Sequence, residues 1–389
     1  MRIERLSLKN YRNLEDTQVS FSPGVNLICG DNGQGKTNLI EAIWLLTGAR
    51  SFRGSRDGDL IRFGEERAWI EAAFFGQMRE QSISIQLGPK RQSALNGVAV
   101  SSHGELAEAF GAVVFSPVHL EIVKDGPDKR RKFLDTAIGQ IKERYQKYMQ
   151  NYNRILLQRN TLLKDVQAHG ELLPLLEVYD EHLSQTAAVI TVMRRSYIEK
   201  LKDHAAAFYR EISGGREDFS LRYQCSLGRE IQGLDGPALK DAYQKALEES
   251  RENDMTYKTT SVGPHRDDLE ITLNGLSARS FGSQGQQRSC VLALKLSEGQ
   301  ILREVLDDTP VILLDDVLSE LDAKRQAYLL GEMAGMQVFI TCCDRHIRED
   351  LEKGLLFSIE KGRLTQEETK EKEESHVSAS GTGHGGQAQ

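Results

Sequence analysis

The spacing of hydrophobic residues changes period twice along the chain. In the first stretch it is short and strand-like. Ile3, Leu6 and Leu8 open one strand, and Phe21 to Cys29 predicts another, buried through Val25, Leu27 and Ile28. Asn38 to Thr47 then carries Leu39, Ile40, Ile43, Trp44 and Leu46 at helical steps. Trp69 to Phe75 and the alternating Ile83, Ile85 and Leu87 predict further strands, and Asn96-Gly97 predicts a tight hairpin. Gly111 to Phe115 is a short apolar run that stops at Ser116-Pro117.

From Asp128 to about Lys164 the apolar positions are Leu134, Ile138, Ile141, Tyr145, Tyr148, Tyr152 and Ile155, which predicts one long amphipathic helix. A second stripe runs through Leu176, Tyr179, Leu183, Ala187, Ile190, Tyr197, Leu201, Ala205 and Phe208, and Gly214-Gly215 ends it. The two stripes predict an antiparallel helical arm. Phe219, Leu221, Tyr223, Cys225 and Leu227 alternate as a strand, and Pro237 to about Glu252 resembles a further helix. The strand-like pattern resumes near Thr256. Leu269, Ile271 and Leu273 lead into Asn274-Gly275, a helix is expected over about Gln286 to Leu306, and Val311 to Leu314 predicts a buried strand. Another helix and a strand at Gln337 to Thr341 follow. The predicted organisation is a head from residues 1–125 and 256–363, an inserted mainly helical arm at 126–255, and a Glu/Lys-rich then Ser/Gly-rich tail at 364–389 with too few apolar residues to order itself.

Composition changes this picture only at the margins. Of 389 residues, 39% are hydrophobic and 28% charged, and no run approaches the ~18 apolar residues of a membrane span. The opening Met1-Arg2-Ile3-Glu4-Arg5 leads into alternation, so no signal peptide is expected. The five cysteines show no C-x-x-C spacing, which favours a reduced cytoplasmic protein with neither a disulfide framework nor a zinc site. A net charge of −7 argues against coating nucleic acid with the whole surface but leaves room for a local basic face.

Candidate chemistry is concentrated at Gly30-Asp31-Asn32-Gly33-Gln34-Gly35-Lys36-Thr37, which fits the phosphate-binding P-loop pattern G-x-x-x-x-G-K-[ST] between a predicted strand and a predicted helix. The glycines let backbone N–H groups turn towards a triphosphate, at which the helix also points its positive end. Lys36 is expected to reach the β/γ-phosphates and the Thr37 hydroxyl to bind Mg²⁺. Such a loop needs a carboxylate at the end of a neighbouring buried strand, and Asp315 and Asp316 follow Leu314. Asp315 is the expected metal-side carboxylate, and Asp316 is placed to orient or deprotonate an attacking water.

Two more elements narrow the class. Ser283-Gln284-Gly285-Gln286-Gln287 opens a helix, and Ser319-Glu320-Leu321-Asp322 closely follows Asp316. They resemble the signature motif and D-loop of the ABC ATPase superfamily, with Asp316 where the usual catalytic glutamate stands. In that superfamily, Ser283, Gly285 and Asp322 would complete the ATP site of a second protomer; Ser283 is also a plain helix N-cap. The fold this implies is α/β, an ABC-type P-loop ATPase head assembled from N- and C-terminal segments with an inserted mainly helical arm. A transporter-type ATPase would keep signature and P-loop in one compact domain, whereas here both helical stripes separate Lys36 from Ser283. That split resembles the SMC-like branch that acts on DNA. A non-hydrolysing dimer glue is a third reading, opposed by Lys36, Asp315 and Asp316.

Finer runs resemble the RecF family. They are Leu8-Lys9-Asn10-Tyr11-Arg12-Asn13-Leu14, Val113-Val114-Phe115-Ser116-Pro117, Gly126-Pro127-Asp128-Lys129-Arg130-Arg131-Lys132-Phe133-Leu134-Asp135 and Gly263-Pro264-His265-Arg266-Asp267-Asp268-Leu269. Two departures stand out: Val118-His119 replaces an acidic pair, and Thr341-Cys342-Cys343-Asp344 lacks the histidine common in ABC proteins. The resemblance implies a weak ATPase that dimerises with ATP, binds single-stranded or junction DNA without sequence preference, acts with RecR, RecO and RecA at gaps, supports the SOS response and needs no membrane. Lys129, Arg130, Arg131 and Lys132 are the densest basic run and the first candidates for phosphate contacts, with Arg53, Arg56 and Arg62 behind them. His265 is expected in a structural polar network rather than at a metal.

Overall fold

The computed structural model describes residues 1–100, 103–166, 169–228, 231, 233–343 and 354–367. Its first part holds β1 (Arg2–Lys9), β2 (Thr17–Ser20), β3 (Val25–Cys29), α1 (Lys36–Leu45), β4 (Ala68–Gly76), β5 (Arg79–Leu87), β6 (Gln92–Leu95), β7 (Val98–Ala99), α2 (His103–Ala109) and β8 (Ala112–Phe115). Six of these strands form one antiparallel sheet in the order β2-β1-β4-β5-β6-β7. A bulge between Ile3 and Arg5 explains why the buried positions of β1 step from Ile3 to Leu6 before alternating. Asn96 and Gly97 both take positive φ (52° and 78°), the geometry a two-residue hairpin requires.

The middle of the chain is helical: α3 (Glu121–Lys124), α4 (Pro127–Ile141), α5 (Glu143–Asp165) and α6 (Leu173–Ser213), then β9 (Phe219–Gln224), α7 (Gly236–Glu249) and α8 (Arg251–Tyr257). The single helix expected from Asp128 to Lys164 is two. The break falls at Lys142, whose backbone is extended (φ −140°, ψ 95°), and the Tyr145 hydroxyl beyond it donates to Asp135 before it at 2.5 Å. The 41-residue α6 ends as expected, with Gly214 left-handed at its C-terminus.

The last part holds β10 (Asp268–Leu273), β11 (Leu276–Ser277), α9 (Ala278–Phe281), α10 (Gln284–Leu306), β12 (Val311–Leu314), α11 (Ala323–Glu332), β13 (Val338–Cys342), β14 (Gly354–Glu360) and β15 (Arg363–Glu367). It builds the central sheet, β15-β14-β3-β13-β12-β8, parallel except for β15. The N-terminal β3 is inserted between the C-terminal β13 and β14, so the head is assembled from both ends of the chain. Its strands read as near-continuous apolar runs because both faces are covered. Val113, Phe115, Ile312 and Leu314 join a core with α4, α5, α6 and α10, while Ala112, Val114, Val311 and Leu313 join a core with α1 and the antiparallel sheet.

Two predicted boundaries differ from the structure. Residues 364–367, assigned to the tail, pair with β14 as part of β15, where Leu364 faces Ile359; residues 368–389 of that expected tail lie outside the described residues. The line drawn at residue 255 also cuts a sheet, because β9 pairs along its length with β10. The helical segment is thus tied to the head by strand pairing and by the core it shares with α10. Among the described residues, no helix is long and apolar enough to cross a membrane.

Candidate functional site

The parallel strands deliver their following residues to one rim of the sheet. Crevices outside such carboxyl ends are where α/β sheets bind ligands. β3 runs into the loop Gly30 to Thr37, and α1 begins at Lys36. Gly30 is pressed so closely on β14 that a Cβ would lie 2.4 Å from the Ile359 carbonyl oxygen. Gly35 has φ +123°, and a Cβ there would meet Leu14. These are steric reasons for glycine at both positions. Lys36 is 4% exposed and folds back over the loop, its Nζ donating to the Gly30 carbonyl at 2.6 Å and to Cys343 Sγ at 3.0 Å.

Asp315, at the end of β12, meets this loop. The Thr37 hydroxyl donates to Asp315 Oδ1 at 2.8 Å, the Ser116 hydroxyl to Oδ2 at 3.2 Å, and the Thr341 hydroxyl to Oδ1 at 3.3 Å. Burial pushes the Asp315 carboxyl above its ordinary range, and the Thr37 hydrogen bond pulls the other way. A carboxylate flanked by three hydroxyls is an all-oxygen donor set that fits a hard divalent cation such as Mg²⁺. Asp316 takes a left-handed backbone (φ 52°), and its N–H donates to the Thr341 hydroxyl at 2.9 Å. The turn aims it away from the strand axis beside Asp315, and such strain is often retained at working sites.

Ser283, Gly285 and Asp322 come together elsewhere. They line a cleft of about 240 Å³ with Arg216, Lys324 and Arg325, and no P-loop residue lines it. Ser283 is the N-cap of α10. Its oxygen accepts from the Gln286 N–H at 3.3 Å, and the Gln286 side chain accepts from the Ser283 N–H at 2.7 Å, a capping box. Asp322 caps α11 in the same way through the Arg325 N–H at 3.0 Å. Ser319 donates to the Asp316 carbonyl at 2.8 Å, and Arg288 on α10 pairs with Glu320. The signature helix is therefore linked directly to the turn that follows Asp316.

The basic run needs correcting. Arg130 is buried and holds Asp268 with two hydrogen bonds, at 2.6 and 2.9 Å, so it is a structural clamp between α4 and β10 and not a phosphate contact. Arg131 donates to the Asp267 carbonyl and pairs with Asp128, and Lys129 pairs with Glu121 at 2.6 Å. Lys132 donates to the Phe52 carbonyl at 3.3 Å. Lys129, Arg131, Lys132, Arg50 and Arg53 line one cleft of about 680 Å³ between the head and the helical segment. Arg56 is exposed outside it, and Arg62 is tied to Asp16 at 2.9 Å. His265 lies in a polar network: the Tyr152 hydroxyl sits 2.6 Å from Nδ1 and the Thr260 carbonyl 3.0 Å from Nε2. Burial lowers its pKa to about 4.

Several working residues escaped the sequence. Asn13 donates to the Gly33 carbonyl at 3.2 Å and accepts from Asn38 at 2.6 Å, bracing the P-loop from outside. Buried Glu41 holds Arg12 at 2.7 Å, and Ser51 donates to it. Ser116 and Thr341 touch Asp315. Their signal was position: each sits at or just past the end of a buried apolar run that becomes a parallel strand. Asp344, noted in the sequence, lies outside the described residues.

A family model described as the RecF/RecN/SMC N-terminal domain matches residues 2–365. The chain is 38% identical over 371 residues to the DNA replication and repair protein RecF of Clostridium perfringens, covering 94% of this chain and 99% of that one. It is 37% identical over 368 residues to RecF of Acetivibrio thermocellus, covering 93% and 99%. Among solved structures, the recombination mediator protein RecF-ATP of the RecFOR pathway is similar with a TM-score of 0.86 at 38% identity, covering 94% of this chain and 97% of that chain. An Smc head domain from Pyrococcus furiosus shares the fold, with a TM-score of 0.51 at 18% identity over 94% of this chain and 95% of its own.

Proposed function

The chain belongs to the RecF family of SMC-like ABC ATPases, and we propose that it is an ATP-dependent DNA-binding protein of recombinational repair and replication. ATP occupies the loop from Gly30 to Thr37, and its binding drives two heads together on DNA. Ser283, Gly285 and Asp322 of one copy close over the triphosphate held by the other. Hydrolysis is slow and releases the dimer. The protein works in the cytoplasm with RecR and RecO in loading RecA at gaps, and it supports SOS induction.

The observation that carries this reading is the division of the site. Lys36, Thr37 and Asp315 converge at the sheet rim, while Ser283, Gly285 and Asp322 line a cleft to which that rim contributes nothing. A second copy supplies what one head lacks. The domain division into head and arm is retained as a functional one.

Thr37 and Asp315 would hold Mg²⁺, with Ser116 and Thr341 fixing the carboxylate. The cation, when bound, neutralises charge developing on the phosphates. Lys36 leaves the Gly30 carbonyl for the β/γ-phosphates. Asp316 orients water for in-line attack; it is one methylene shorter than glutamate, so the water is held less well and turnover is slow. DNA lies across the dimer, and Arg53, Lys129 and Lys132, rather than Arg130, supply phosphate contacts of no sequence preference.

Sedimentation and DNA binding with ATP, ADP or no nucleotide test this, for wild type and Lys36→Ala. The expected result is a dimer that binds DNA only with ATP, and a Lys36→Ala chain that stays monomeric in all three conditions. A monomer that ignores both ATP and DNA would overturn the reading.

A further inference from the structure

Beneath the P-loop lies a pair of thiols with no part in phosphate binding. Cys29 is the last residue of β3 and Cys342 the last of β13, and they are directly paired in the parallel register. Both side chains point into the core shared with α10, and their sulfurs are 3.0 Å apart. Paired residues on neighbouring strands have Cα atoms about 5 Å apart, inside the range that a disulfide spans. Bond formation requires the sulfurs to close by about 1 Å.

The pair is wired to the nucleotide loop. Gly30 follows Cys29 directly, and its N–H donates to the Cys342 carbonyl at 3.3 Å. The Gly30 carbonyl in turn holds Lys36 Nζ. Gly30 also packs against Ile359 of β14, on the side of β3 away from β13. Pulling β3 towards β13 therefore draws the first P-loop residue off that contact and shifts the carbonyl that holds Lys36. On the other side of Cys342, the exposed Cys343 opens the strand end to solvent.

We propose that Cys29 and Cys342 form a reversible disulfide that distorts the P-loop and weakens ATP binding, making the head an oxidation-sensitive switch. The inference rests on reading the P-loop as the ATP site. With hydrogen peroxide as oxidant, one thiolate attacks a peroxide oxygen, the O–O bond breaks, hydroxide leaves and a sulfenic acid forms. The second sulfur attacks the first, the S–S bond forms and the oxygen leaves as hydroxide, which the released protons convert to water. Two thiols and one peroxide become one disulfide and two waters. Both thiols are buried, so the pair responds slowly and to sustained oxidant. Once one sulfur is oxidised, its neighbour traps it before further oxidation.

The test uses the full chain, treated with peroxide or with dithiothreitol, and reads the linked peptides by mass mapping and the affinity for a fluorescent ATP analogue. The expected result is a Cys29–Cys342 linked peptide and an affinity about 10-fold lower than in the reduced protein, restored by dithiothreitol. Cys342→Ser and, should serine in the core prevent folding, Cys342→Val would show the same affinity oxidised as reduced, while Cys343→Ser would keep the full response. A linked peptide without loss of affinity overturns the switch, as does a response that persists in both Cys342 variants or maps to Cys343. Absence of ATP binding by the reduced protein overturns the ATP reading instead, and the linked peptide separates that failure from failure of the thiol chemistry.

Discussion

The P-loop rim and the signature cleft are built from similar motifs, each a short loop feeding a helix, yet they are finished to different degrees. At the rim the key side chains are buried and wired together: Lys36 and Asp315 are each 4% exposed, and Asp315 is held by three hydroxyls. In the cleft, Ser283 and Asp322 are exposed, and each spends one oxygen on capping its own helix. A residue such as Lys36 needs the rest of its own chain to be positioned. A residue such as Ser283 is positioned by four residues of local helix and then waits for something to meet. Under the proposed function, the difference separates what one chain does alone from what two would do together.

The sharpest test of the rim is Asp316→Asn. The substitution keeps the shape and removes the charge proposed to orient water. Hydrolysis is expected to fall about 1,000-fold, with ATP binding and dimerisation retained. Single-turnover assays beside sedimentation separate the two. An unchanged rate would remove Asp316 from its role and leave the rim as a binding site only.

The matching test of the cleft is Ser283→Arg, which puts bulk and charge where a second copy would approach under the proposed function. ATP still binds the rim of each monomer, but the dimer is lost and hydrolysis falls about 100-fold. Mixing this variant with Lys36→Ala decides whether the sites act in trans. One composite site in the mixed dimer joins an intact P-loop to an intact cleft, and partial activity is expected to return. If Ser283→Arg abolished ATP binding by the monomer, the two regions would be one site.

The rim was more legible than the cleft's surroundings, for a physical reason. A P-loop is contiguous, its glycines are demanded by backbone geometry, and the apolar strands on either side are buried on both faces. The eight residues and Asp315 were therefore expected together from local pattern, and the structure brings Thr37 to Asp315. The braces Asn13, Ser116 and Thr341 were not, because they reach the loop from strands and turns distant in sequence, and only sheet order brings them there. The basic run misled in the opposite way. Four consecutive cations look like a surface, but helical geometry turns Arg130 inward to Asp268 while Lys132 faces the cleft. Likewise the Lys142 break and β15 depend on packing partners, Tyr145 with Asp135 and Leu364 with Ile359, that periodicity alone does not reveal.

The smallest effect compares the two aspartates through stability, measured by urea unfolding in the presence of a chelator. Burial raises the Asp315 carboxyl, so at neutral pH its charge costs stability, and Asp315→Asn is expected to stabilise the protein while removing activity. Between the ordinary carboxylate value of about 4 and its raised value, the folded chain binds more protons than the unfolded one, so wild-type stability gains from this group as pH falls. Asp322 is the reverse. The Arg325 N–H holds its carboxyl low, so its stabilisation is present above about pH 4 and is lost as pH falls through its lowered value. Asp322→Ala removes an N-cap and is expected to cost about 1 kcal/mol at pH 7. The two variants should thus move stability in opposite directions at pH 7, and both should approach wild type in acid. If Asp315→Asn proved destabilising, the hydroxyls around Asp315 would be compensating its burial in full, and the rim would be as self-sufficient without a cation as the helix cap is.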